Sequence, residues 1–70
     1  MMPLTLANVG DENIIRKVGG KDEVRQHLSD LGFVPGATAT VICELGGNII
    51  VSVKDTRIAI SKEMANKIMV

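Results

Sequence analysis

Val24-Arg25-Gln26-His27-Leu28-Ser29-Asp30-Leu31-Gly32-Phe33-Val34-Pro35-Gly36, residues 24–36, carries a helix face, a helix stop and a turn in succession. Val24, Leu28 and Leu31 stand at i, i+4 and i+7, so one stripe of a helix over 21–31 is apolar. Asp22 and Glu23 fall in its first turn, where negative charge favours the unpaired N–H groups. Gly32 suits the left-handed position after the last turn, and Phe33 follows where an apolar side chain can fold back onto the helix. In Val34-Pro35-Gly36 proline presets φ and glycine accepts the positive φ of a type II turn. A helix this short with one apolar face needs a sheet to lie on.

Downstream the period changes to two. Ala37, Ala39, Val41 and Cys43 read as one face of a strand, and Thr38, Thr40, Ile42 and Glu44 as the other. Leu45-Gly46-Gly47-Asn48 reads as a hairpin connection, after which Ile49, Val51 and Val53 continue the inward set. Lys54-Asp55-Thr56 is a tight turn, and Arg57-Ile58-Ala59-Ile60 a returning strand. Ser61 is placed to cap a helical turn with Met64, Ala65 and Ile68 inward, and Ile68-Met69-Val70 is a last short strand. Upstream, Leu4-Thr5-Leu6 suggests a short extended segment and Val9-Gly10-Asp11 a turn. Asn13 to Val18 suggests one strand, closed by Gly19-Gly20. About five short antiparallel strands joined by glycine turns make a mainly β chain and predict a small closed or partly closed barrel with the helix covering an open end, because closure removes exposed edges. An open α+β sheet is the competing architecture.

Size and composition narrow the function. Seventy residues amount to a single domain, expected to span 1–70. The folded chain should expose about 4,200 Å², roughly 60% of its extended surface being buried. One Phe, no Trp and no Tyr leave the core to aliphatic residues, which at 46% hydrophobic content suffice to exclude a disordered chain. Eight basic and eight acidic side chains cancel, so the positive surplus of a nucleic-acid binder is missing, as are aromatic stacking platforms. The single cysteine excludes an internal disulfide framework. No long apolar run suggests a signal peptide or membrane insertion, so the expected location is cytoplasmic.

No chemistry-bearing constellation emerges. His27 and Cys43 are the only soft ligands apart from methionine, fewer than a transition-metal site requires; His27 reads as a boundary helix residue and Cys43 as core or semi-core. The carboxylates form no catalytic pair, and Ser29, Ser52 and Ser61 lack a recognisable base. Both glycine pairs fall short of a phosphate loop. The chain therefore reads as a non-enzyme with no cofactor and no metal site of its own. Ile42 and Ile50, which point off the Val41/Val51 face, would make a hydrophobic contact site if both were exposed.

The stretch from Val24 to Gly36 resembles the signature of the FeoA family, with Asp30-Leu31-Gly32 and Pro35-Gly36 its most specific parts. The likeness runs over almost the whole chain, through Leu6, Val9, Gly10, Ile14 and Val18 to Arg57-Ile58-Ala59-Ile60 and Val70. The resemblance implies an SH3-like barrel with an inserted helix, similar to the C-terminal domain of iron- and manganese-dependent repressors, although 70 residues leave no room for a winged-helix domain and a complete repressor is not expected. It also implies a cytoplasmic accessory protein of ferrous iron uptake that binds the cytoplasmic part of a membrane permease carrying a GTP-binding domain. Arg25, Gln26 and Ser29, with nearby Phe33, are the expected partner-contact residues. The alternative function is a stand-alone metal-responsive regulatory or protein-interaction module. Self-association through an exposed strand is open, since sequence reveals neither register nor symmetry.

Overall fold

The computed structural model describes residues 1–70. A 3-10 turn at Leu4–Leu6 leads to β1 (Glu12–Ile14), β2 (Lys17–Val18) and α1 (Asp22–Asp30). Then come β3 (Thr38–Leu45), β4 (Asn48–Val53), β5 (Thr56–Ser61), α2 (Lys62–Ala65) and β6 (Ile68–Met69). Four strands form one antiparallel sheet in the order β1-β3-β4-β5, and β2 with β6 forms a separate two-stranded ribbon. The surface measures 4316 Å², close to the value expected from chain length.

The expected small barrel is therefore overturned, because the sheet does not close on itself. Closure would require β1 to pair with β5, and these are the two ends of the sheet order. The cause lies in residues 13–18, which form two short strands rather than one. β1 pairs with β3, whereas β2 pairs with β6. Between them the Ile15 N–H donates to the Ala37 carbonyl at 2.8 Å, and the Arg16 N–H donates to the Met69 carbonyl at 2.8 Å. The chain thus changes partner within one residue, and Ile15, 1% exposed, fills the corner between sheet and ribbon. With only three paired residues, β1 ends before it can reach around to β5. The Leu4–Leu6 segment likewise turns instead of extending: Leu4 is buried while Leu6 stays exposed.

The helix and its stop follow the sequence closely. Leu28 is buried in the core and Val24 and Leu31 pack at its margin. At the C-terminus the Phe33 N–H donates to the Leu28 carbonyl (2.9 Å) and the Gly32 N–H to the Ser29 carbonyl (2.9 Å). These two bonds make a Schellman motif, with Gly32 at φ +105° and Phe33 folded back into the core. The Ala37 N–H donates to the Val34 carbonyl, and Gly36 takes φ +92°, as the type II turn requires. Ser61 caps α2, its hydroxyl accepting from the Met64 N–H at 3.1 Å.

The sheet's inner face presents Ala39, Val41, Ile49, Val51, Val53 and Ile60, which join Leu4, Ile15, Leu28, Phe33, Ala65 and Ile68 in one core. Strand β3 departs from strict alternation. Val41 pairs with Val51, but Cys43 pairs with Ile50, so Ile42 is an extra residue in a β-bulge. The bulge moves Cys43 off the Val41 face, where simple alternation had placed it, and turns Glu44 toward α2, where it forms an ion pair with Lys62. Ile42, Cys43 and Ile50 are all half-buried, so the two isoleucines do not make a freely exposed patch.

Candidate functional site

On α1, Asp22, Arg25, Gln26 and Ser29 stand at i, i+3, i+4 and i+7, a polar stripe beside the apolar stripe of Val24, Leu28 and Leu31. The polar stripe forms one wall of an open cleft of about 530 Å³. The opposite side comes from Val18 in β2 and from Phe33, Val34 and Pro35 in the turn after α1. The helix stop and the type II turn together hold that side in place, because they reverse the chain immediately beyond the helix. The cleft is therefore built by the same residues that end α1.

Two side-chain pairs organise the wall. Arg25 Nη2 donates to Asp22 Oδ1 one turn earlier, an ion pair open to solvent on both partners. Gln26 Nε2 donates to Asp30 Oδ1 at 2.9 Å. Ser29 is exposed between them. The arrangement offers a guanidinium, an amide and a hydroxyl beside the apolar surface of Val18, Val34 and Pro35. Such a surface can bind a polypeptide by charge-assisted hydrogen bonds at its rim and apolar contact at its floor. It has no nucleophile–base pair and no convergent metal ligands; nowhere in the chain do three His, Cys, Asp or Glu side chains gather. His27 lies exposed on α1 and Cys43 half-buried on β3.

All four residues expected from sequence to meet a partner line this cleft, but not in the same way. Arg25, Gln26 and Ser29 are exposed, whereas Phe33 is 1% exposed and anchors the floor from within the core. Sequence reasoning did not find Asp22, Val18, Val34 or Pro35 as lining residues. Asp22 had a findable signal, its three-residue spacing from Arg25. Val18 had none, since its place depends on pairing between distant β2 and β6.

The family profile described as the FeoA domain matches residues 2–70. The chain belongs to the FeoA family. FeoA-family domains are non-catalytic accessory modules, so this chain is not an enzyme. It is 37% identical over 70 residues to a Methanocaldococcus jannaschii protein provisionally named Fe(2+) transport protein A, covering all of this chain and 85% of the relative. A crystal structure of an iron uptake regulatory protein, also a FeoA, superposes with a TM-score of 0.87 at 40% identity, covering 97% of this chain and 90% of that one. A manganese-dependent transcriptional repressor shares the fold alone, with a TM-score of 0.84 at 14% identity over 94% of this chain and 38% of its own.

Proposed function

We propose that this FeoA-family chain is a cytoplasmic accessory protein of ferrous iron uptake. It docks on the cytoplasmic domain of a membrane ferrous iron permease that carries a GTP-binding domain. The observation that carries this reading is the cleft beside α1, where Arg25, Gln26, Ser29, Phe33, Val34 and Pro35 of the FeoA-like stretch assemble into an open polar-rimmed, apolar-floored surface. The names of the relatives, one for Fe(2+) transport and one for regulation of iron uptake, support the process. No helix of the chain is long and apolar enough to cross a membrane, which fits a partner that supplies the pore. Iron is the permease's cargo in this reading, and the accessory chain contributes contact rather than coordination.

The test is a titration of the chain against the permease's soluble GTP-binding domain, with and without guanine nucleotide. Saturable binding is expected, together with reduced ferrous iron uptake after deletion and recovery on complementation. Absence of binding in every nucleotide state, with uptake unchanged by deletion, would overturn the assignment.

A further inference from the structure

The sheet has two edges of very different quality. β1 offers three residues and ends at the corner of Ile15. β5 offers six residues in unbroken register with β4, without a bulge and without proline. It is connected to β4 by the two-residue turn Lys54-Asp55, so Val53 and Thr56 are the hydrogen-bonded pair next to the loop. Alternation then assigns the backbone groups of Thr56, Ile58 and Ile60 to β4, and turns those of Arg57, Ala59 and Ser61 outward. Outside the strand ladders, no backbone hydrogen bond engages Arg57 or Ala59. Natural sheets usually blunt an edge of this kind with bulges, prolines or several charges. β5 carries only Arg57.

The strand is also complementary to itself. Set antiparallel about Ala59, a second copy places Ala59 opposite Ala59, Arg57 opposite Ser61 and Ile58 opposite Ile60. The outward-turned residues then meet one another, as a ladder needs, and no like charges face across the axis. A one-residue slip would set outward groups against inward ones. On the sheet's outer face the row Cys43–Ile50–Ala59 runs to this edge, with Cys43 and Ile50 half-buried and Ala59 exposed. Across the axis that row continues into its symmetry mate, so pairing joins two small apolar surfaces into one. A formal net charge of zero leaves little long-range repulsion between copies.

We propose that two copies of this chain associate through antiparallel β5–β5 pairing with the two-fold axis at Ala59. The joined sheet has eight strands, and the cleft beside α1 takes no part in it. So short an interface falls at the small end of specific contacts, and the dimer forms reversibly at micromolar to millimolar concentration. Sedimentation velocity from about 10 µM to about 1 mM should show apparent mass rising toward twice that of the monomer. Amide exchange at Arg57 and Ala59 should slow over the same range while exchange at Ile58 and Ile60 does not change. Ala59→Pro removes the central donor at an edge position where proline is tolerated, and should leave a folded monomer at every concentration. Ala59→Glu sets two carboxylates at the axis and serves the same purpose if the proline variant fails to fold, while Ala59→Ser keeps the donor and should still dimerise. A wild-type chain that stays monomeric throughout, or a dimer that survives both disrupting variants, overturns the proposal.

Discussion

At Gly32 the backbone holds φ +105°, a region closed to ordinary side chains, and a Cβ there would meet the Lys54 side chain at 3.4 Å and Val53 at 3.7 Å. Gly32→Ala should therefore cost about 1–2 kcal/mol, mostly from backbone strain rather than crowding. Urea denaturation checks this, with the midpoint falling at unchanged slope. The opposite sign is expected at the β4–β5 turn. Lys54 and Asp55 both adopt positive φ, at 51° and 62°, as a type I′ turn requires, yet neither is glycine. Asp55→Gly relieves that strain but gives the unfolded chain more freedom, so it should stabilise by only about 0.5 kcal/mol. A thermal melt should show a small upward shift. Gly32 was legible in sequence because Asp-Leu-Gly-Phe is a helix stop on its own; the strained pair at 54–55 was legible only as a turn, since nothing in Lys-Asp announces its φ.

Among the elements, α1 and the β3–β4–β5 meander could be read directly, since periods of 3.6 and 2 are local properties of the chain. Two departures were not local. The bulge at Ile42 adds one residue to β3, and a one-residue slip exchanges the faces of everything beyond it, which is why Cys43 leaves the Val41 face. The division of residues 13–18 reflects a change of partner from β3 to β6, and a partner change leaves no mark on local alternation. Helix α2 makes a sharper test of local reasoning. With four residues it is too short to persist alone, and Ser61 accepts one of its unpaired N–H groups. Ser61→Ala should cost about 1 kcal/mol, and Ser61→Asp should retain most of the stability because a carboxylate caps equally well. Amide exchange at Met64, faster in the alanine variant alone, would separate loss of the cap from a general weakening.

For the whole molecule, the open sheet with its detached ribbon decides which parts of the cleft are scaffold and which are available to a partner. Phe33 is the largest buried side chain, and it joins the end of α1 to the core while flooring the cleft. Truncation to alanine should cost about 3–5 kcal/mol. A chain of this length has roughly 4–10 kcal/mol in total, so Phe33→Ala loses partner binding largely by unfolding. Arg25 stands at the other extreme. Its ion pair with Asp22 is exposed on both sides, and such pairs contribute at most about 1 kcal/mol to stability. Arg25→Ala should leave the melting curve nearly unchanged while weakening binding to the permease domain about tenfold, which corresponds to about 1.4 kcal/mol. The proposed contact runs through the Arg25 guanidinium, so added salt should weaken wild-type binding more than it weakens binding by the variant. Asp22→Asn supplies the converse arm: it frees the guanidinium from its intrahelical partner and should preserve or strengthen docking. Equal loss in both variants would mean that the ion pair, rather than the guanidinium, is what the partner reads, and unaltered binding in both would place the docking surface away from α1.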